Sequence, residues 1–261
     1  AAIAAAAGAR ILEIYERGFT VDLKTDGSPL TQADRAAHDI ISARLRALTP
    51  DIPIVSEESA DQARQTAGRA AWPRLWLVDP LDGTKEFINH NGEFTVNIAL
   101  IEDGAPLLGV VYVPVSGVRY LALRGLGAFK EQHGARQPIR VRAYRGGCAT
   151  VVVSRSHRGA PVDRFLARLA AREGGYDTVS LGSSLKLCLV AEGAADVYPR
   201  LGPTSEWDTA AAHCVVEAAG GRVTDLRGTP LAYNKPDILN PWFLVSGGGD
   251  YDWRALLDDV A

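Results

Sequence analysis

Apolar residues at Ile3, Ala7, Ile11 and Ile14 recur at helical spacing through the alanine-rich first segment, which predicts an amphipathic helix. A second run, from Thr31 to Leu48, repeats the pattern with Ala33, Ala37, Ile40, Ile41, Leu45 and Leu48, and Pro50 and Pro53 close it. Between the two, Lys24 to Pro29 is rich in Asp, Gly, Ser and Pro and reads as a mobile loop. Beyond Pro53 the period shortens. Ile54 to Ser56, Leu75 to Val78, Phe94 to Ile101, Leu107 to Val113, Val118 to Leu123 and Gly127 to Lys130 are β-type runs, and the tight turns among the later ones predict an antiparallel sheet. From about Gly146 strands and helices alternate: Thr150 to Ser154, Pro161 to Glu173, Thr178 to Leu181, Ser183 to Glu192, Asp196 to Tyr198, Thr209 to Ala219, Arg222 to Thr224 and Phe243 to Ser246. Such alternation predicts an α/β half with a largely parallel sheet. Gly134, Pro138, Gly146 and Gly147 interrupt the pattern and place a boundary near residues 134 to 148. The expected organisation is an N-terminal α+β half over 1–140 and a C-terminal α/β half over 141–261.

A chain of 261 residues, 47% of them hydrophobic, can bury roughly 70 to 75% of its unfolded surface, which excludes disorder as its main state. Twenty-eight Lys and Arg against 31 Asp and Glu leave a formal charge of −3, too weak a field to gather a nucleic-acid polymer or an anionic membrane. An anionic ligand must therefore be held by a local site. Cys148, Cys188 and Cys214 form neither a disulfide framework nor a zinc cluster, and a reducing cytoplasm is the expectation. Ala1 to Ala9 lacks a basic n-region and runs directly into Arg10, Glu13, Glu16 and Arg17, so it reads as a helix rather than a secretory signal. The longest uncharged run, Gly104 to Val118, is 15 residues broken by two prolines and three glycines, too short for a membrane span.

Chemistry concentrates in three acidic segments. Trp76-Leu77-Val78 leads into Asp79-Pro80-Leu81-Asp82-Gly83-Thr84, two carboxylates three apart on a turn forced by Pro80 and Gly83. Ile54-Val55-Ser56-Glu57-Glu58 places acids after another short strand, and Glu206-Trp207-Asp208-Thr209 places them at a helix start. Each also has an ordinary role to set beside a functional one: Asp82 as a turn residue, Asp208 as a first-turn acid, Glu57 and Glu58 as a solvated pair, and Asp34 as the acidic partner of Thr31 in a capping arrangement. Asp79 is different, because an acid closing a buried strand needs a partner. Two carboxylates about 4 Å apart repel by about 4 kcal/mol at an effective dielectric of 20, so their convergence calls for cations, and hard cations such as Mg²⁺ take oxygen ligands.

Taken in order, these three segments resemble the Mg²⁺-dependent, lithium-sensitive inositol monophosphatase superfamily over nearly the whole chain. The resemblance implies a layered α-β-α-β-α sandwich of the inositol monophosphatase and fructose-1,6-bisphosphatase type. It implies that Glu57, Asp79 and the Leu81 carbonyl bind one metal, that Asp79, Asp82 and Asp208 bind a second, and that Thr84, at the cap of the helix opening at Lys85, orients the attacking water with Asp34. Two or three Mg²⁺ ions are implied, with Li⁺ as an inhibitor.

The second half carries the substrate-facing chemistry. Ser154-Arg155-Ser156-His157 follows a strand, and Gly182-Ser183-Ser184-Leu185-Lys186 opens a helix whose unpaired N–H groups suit an anion. Arg200, at the end of Tyr198-Pro199-Arg200, is a further candidate, and a solvated surface is the ordinary role of Arg155, Arg158 and Arg200. His38 and His213 read as structural helix residues, His90 and His133 as loop residues. With Lys85-Glu86-Phe87-Ile88 and Asn91 to Leu100, these segments resemble the CysQ-type bacterial 3'(2'),5'-bisphosphate nucleotidases more closely than inositol monophosphatase. That resemblance implies hydrolysis of adenosine 3',5'-bisphosphate, a small nucleotide left over from sulfate assimilation, with Gly83, Thr84, Ser154, His157, Gly182, Ser183, Lys186 and Asp208 about the substrate and Lys186 meeting its 5'-phosphate end. It also implies a cytoplasmic protein, peripheral at the inner membrane, for which the sequence offers no anchor. An inositol monophosphatase and a non-catalytic phosphometabolite-binding protein are the alternatives, and the second phosphate discriminates the first of them, since it needs a cationic pocket remote from the metals.

Overall fold

The computed structural model describes residues 1–23, 29–59, 68–156 and 158–257; of the expected loop Lys24 to Pro29 all but Pro29, which begins a strand, lies outside them, as does the candidate contact His157. Two helices, α1 (Ala2–Arg17) and α2 (Gln32–Leu48), form the first layer. The predicted stripes bury Ala7, Ile11 and Ile14 of α1 and Ala33, Ala37, Ile41 and Leu45 of α2, while Leu48 at the frayed end is 65% exposed. A short hairpin, β1 (Val21–Leu23) with β2 (Pro29–Thr31), leads into α2.

Both helices lie on a seven-stranded sheet ordered β3 to β9. Its strands are β3 (Ile54–Ser56), β4 (Arg74–Asp82), β5 (Thr95–Glu102), β6 (Ala105–Tyr112), β7 (Arg119–Leu123), β8 (Gly127–Gln132) and β9 (Ala135–Ile139). From β4 onward neighbours are antiparallel, as the turns predict; β3 joins β4 in parallel. The interruption at Gly134 is the β8–β9 turn, so the sheet continues to Ile139.

The second sheet, β10 (Ala149–Ser154), β11 (Tyr176–Leu181), β12 (Val197–Arg200), β13 (Arg222–Asp225) and β14 (Phe243–Ser246), corrects an expectation. It is mixed rather than largely parallel: β10 runs parallel to β11 and β12, whereas β14 lies antiparallel between β12 and β13. No helix intervenes between β13 and β14, so nothing carries the chain back across the sheet to restore a parallel strand.

Two helices fill the space between the sheets, α5 (Leu185–Ala191) and α6 (Glu206–Ala218). Nearly every residue of α6 is buried, because it has a sheet on either side. Gly109 of β6 allows that approach: a Cβ there would lie 2.2 Å from the Ala211 carbonyl oxygen and 2.8 Å from Cys214 Cβ. Helix α4 (Ala160–Glu173) covers the outer face of the second sheet through Val162, Phe165, Leu166 and Leu169. The order of layers is thus α-β-α-β-α, as the resemblance implies.

Candidate active site

The geometry begins with one irregularity in β4. Asp79 faces Asn97 across the ladder to β5 but Asp82 faces Thr95, so three steps on β4 match two on β5. Side chains alternate along a strand, and an unbroken ladder would send residues three apart to opposite faces; the extra residue restores Asp82 to the face of Asp79. Packing confirms the parity: Leu75 and Leu77 belong to the inner core between the sheets, and Trp76, Val78 and Leu81 to the outer core beneath α1 and α2. Both carboxylates therefore point toward the middle layer.

Asp79 is 1% exposed, and its pKa is driven well above the carboxylate range by burial first, then by Glu57, Asp82 and Asp208, with Glu57 in hydrogen-bond contact. Its Oδ1 accepts the Leu81 N–H at 3.1 Å. Asp208 is the third residue of α6 and does two things at once. Its Oδ2 accepts the Ser205 N–H at 2.8 Å as the acidic half of a capping box, so the ordinary role is present. Burial together with Asp82 and Glu57 nevertheless raises its pKa to about 8. Asp82 is raised by burial as well, against the opposing pull of Lys186, Asn97 and the Ser184 N–H. Its Oδ2 takes bonds from Ser184 N at 2.5 Å, Asn97 Nδ2 at 3.1 Å and Thr95 Oγ1 at 3.4 Å. Ser184 Oγ in turn touches Thr95 Oγ1 and Asn97 Oδ1, each at 2.9 Å.

Asp34 likewise joins both of its readings. Its Oδ2 accepts the Thr31 N–H at 2.7 Å and the Thr31 hydroxyl at 2.6 Å, closing the cap of α2, and its Oδ1 lies 3.4 Å from Thr84 Oγ1. Thr84 is not itself the cap of the next helix. Gly83, at φ 92°, holds that position, and Thr84 is the first residue of α3 (Thr84–Ile88), with its hydroxyl also 3.4 Å from the Leu81 carbonyl oxygen. Five residues cannot sustain a helix alone. Phe87 anchors this one against Phe19, Tyr15 and Phe94, with ring centroids 4.5, 5.0 and 5.2 Å away.

Glu57, Asp79, Leu81, Asp82, Gly83, Thr84, Ser154, Gly182, Ser183, Lys186, Arg200 and Asp208 all line one cleft of about 480 Å³ between the halves. Of the described candidates only Asp34 stands behind the wall, reaching the cleft through Thr84. Three details differ from the sequence expectation. The helix following Gly182 starts at Leu185, and two N–H groups of the turn before it are taken: Gly182 N donates to Glu93 Oε2 at 2.8 Å and Ser184 N to Asp82. Lys186 is not remote from the carboxylates. It is 7% exposed, donates to the Ser183 carbonyl oxygen at 2.5 Å, and burial lowers its pKa to about 8 against the attraction of Asp82. Arg200 is 9% exposed rather than solvated; one guanidinium nitrogen donates to the Pro203 carbonyl oxygen at 2.7 Å, and its Nε has no protein partner. Arg155 and Arg158 do lie at the surface, paired with Glu93 and Asp163.

The donor set is all oxygen: four carboxylates and the Leu81 carbonyl on one cleft. Among the described residues no three of them close into a tight cage, and the upward shifts at Asp79, Asp82 and Asp208 mark a concentration of negative charge with too little positive charge nearby. Hard divalent cations are what such donors suit.

Comparison with known proteins gives the same answer from the whole chain. Residues 1–244 match the model of the inositol monophosphatase family. The chain belongs to that family. Among its relatives, the 3'(2'),5'-bisphosphate nucleotidase CysQ of Escherichia coli O157:H7 is 53% identical over 245 residues, covering 92% of this chain and 95% of that protein. The Haemophilus influenzae protein of the same name is 35% identical over 260 residues, covering 97% and 93%. The crystal structure of CysQ from Bacteroides thetaiotaomicron, a bacterial member of the inositol monophosphatase family, superposes with a TM-score of 0.79 at 43% identity, covering 94% of each chain. Mg²⁺ is the metal generally used in this inositol monophosphatase family. Around the acidic cleft, sequence reading did not single out Thr95 and Asn97, which hold Asp82, or Glu86 and Glu93, which bond Ser156, Arg155 and Gly182. Their signal is the polar side chains at alternate positions of an otherwise apolar β5, Thr95 and Asn97 among Phe94, Val96 and Ile98.

Proposed function

We propose that the protein is a Mg²⁺-dependent 3'(2'),5'-bisphosphate nucleotidase that converts adenosine 3',5'-bisphosphate and water to AMP and phosphate. The observation that supports this reading is one cleft holding both an all-oxygen acidic cluster and the buried cation Arg200, while Lys186, drawn toward Asp82, belongs with the acidic cluster. A monophosphate needs the first alone, whereas a bisphosphate presents a second anion that profits from the Arg200 Nε left without a protein partner.

Glu57, Asp79, Asp82, Asp208 and the Leu81 carbonyl would hold two or three Mg²⁺ ions. When bound, Mg²⁺ supplies a water of lowered pKa and neutralises charge on the transferred phosphoryl group. Thr84 Oγ1 accepts a hydrogen bond from the attacking water and takes up its proton as its own hydroxyl proton passes to Asp34 Oδ1, so the carboxylate is the final acceptor. Asp34 keeps its second oxygen on Thr31, which fixes the carboxylate and so the direction in which Thr84 points. Ser154, Gly182, Ser183, Lys186, Asp208 and Gly83, all on the cleft wall, would face the nucleotide. Li⁺ would compete with Mg²⁺ among the same carboxylates and inhibit. Among the described residues no helix is long and apolar enough to cross a membrane, and three free cysteines support a reducing compartment.

Phosphate release from adenosine 3',5'-bisphosphate, adenosine 3'-phosphate, inositol 1-phosphate and fructose 1,6-bisphosphate, each with and without Mg²⁺, tests the reading. A kcat/KM highest for the first, lost on chelation, is expected. Faster turnover of inositol 1-phosphate overturns it.

A further inference from the structure

Two acids of the first half grip the second half beside the cleft, and neither takes part in the chemistry above. Glu93, in the loop between α3 and β5, accepts Arg155 Nη2 on Oε1 at 2.6 Å, and on Oε2 both Arg155 Nε at 2.9 Å and Gly182 N at 2.8 Å. Arg155 also donates to the Ser180 carbonyl oxygen at 2.9 Å. Glu86 of α3 accepts the Ser156 hydroxyl at 2.6 Å. The groups they hold lie where the parallel pair β10 and β11 ends, Ser154 opposite Leu181 in register. Ligands of open α/β sheets sit at such carboxyl ends.

The contact leaves no slack. A Cβ on Gly182 would fall 2.4 Å from Glu86 Cγ and 2.9 Å from the Glu93 carbonyl oxygen, so only glycine allows this approach. Ser183 next to it sits at φ 49°, a left-handed conformation costly for a residue with a side chain, and it is held there between Gly182 N bound to Glu93 and Ser184 N bound to Asp82.

We infer that Glu93 is a specificity-positioning residue: through Arg155 and Gly182 it fixes the distance between the Asp82–Thr84 loop and the turns facing the part of the substrate remote from the reacting phosphate. This rests on the bisphosphate reading. Loosening the grip frees Arg155 and the Gly182 end of the turn, while Asp82 keeps its bonds from Ser184, Asn97 and Thr95 and Asp34 stays on Thr31, so the loss falls on KM for a substrate that spans the cleft.

The experiment measures kcat and KM of wild type, Glu93→Ala, Arg155→Ala and the double variant on adenosine 3',5'-bisphosphate and adenosine 3'-phosphate at saturating Mg²⁺. Each single variant should raise KM for the bisphosphate roughly 5- to 20-fold with kcat within about twofold, and the double variant should lose no more than either single one. KM for the monophosphate should stay within about twofold, because that substrate lacks the 5'-phosphate that the turns are inferred to position. Arg155 is 46% exposed, so its variant keeps the test open should Glu93→Ala fail to fold. Equal losses on both substrates, a fall in kcat at constant KM, or additive effects in the double variant overturn the inference. A wild-type enzyme indifferent between the two substrates removes the bisphosphate reading, and the inference with it, before any variant is made.

Discussion

Asp79 closes a buried strand, and burial and three neighbouring acids all oppose its charge. An uncharged isostere relieves that conflict, so Asp79→Asn should abolish Mg²⁺-dependent turnover while raising the metal-free melting temperature; thermal unfolding in chelator checks the second half, and a lower midpoint than wild type refutes it. Asp208 gives a pH dependence with a definite sign. Its folded pKa of about 8 lies above that of an unfolded aspartate, so the folded chain binds the proton more tightly. Its contribution is fully present below about pH 4 and is lost as pH rises through about 8. The metal-free melting temperature of wild type, relative to Asp208→Asn, should therefore fall from about pH 5 to about pH 9. Mg²⁺ binding displaces the same proton, so its affinity should rise over that interval.

At the scale of the element, one carboxylate, Asp34, both caps a helix and meets the Thr84 hydroxyl, and the two duties we propose for it separate by substitution. Thr84→Ala should lower kcat by roughly 10²- to 10⁴-fold with unfolding free energy nearly unchanged. Asp34→Ala should match that loss and also destabilise by about 0.5 to 2 kcal/mol, because the cap of α2 goes with it; paired kinetics and denaturant titration distinguish the cases. Elements were legible in the sequence where burial is one-sided: Ala33, Ala37, Ile41 and Leu45 announce α2 because only one face of it is dry. β9 was missed because Ala135 to Pro138 are all exposed, an edge strand with no apolar face to betray it. The direction of β14 was missed because a local pattern carries no information on the path of the chain from β13. Within the site, acid clusters announce themselves by repulsion. What holds them does not: Asn97 and Ser184 meet Asp82 across 15 and 102 residues, distances at which no local spacing rule operates.

The cleft is lined from both sheets, but the core is not divided between them. Leu75, Leu77, Ala99 and Val111 of the first sheet and Val152, Val223 and Val245 of the second bury themselves in one cluster around α5 and α6. The acid at the start of α6, Asp208, belongs to the same helix whose Ala211 presses on Gly109. A fragment ending at residue 140 would leave the inner face of its sheet in water, and it should stay unfolded or aggregate, as circular dichroism and light scattering would show; a monomeric, cooperatively folded fragment contradicts this. The intact chain should melt in a single transition that Mg²⁺ moves as a whole, by the mass-action term for a ligand bound only to the native state. Because α6 carries Asp208 at one end and packs Ala211 on Gly109 farther along, displacing Asp208 by moving this helix would open the core that both sheets share.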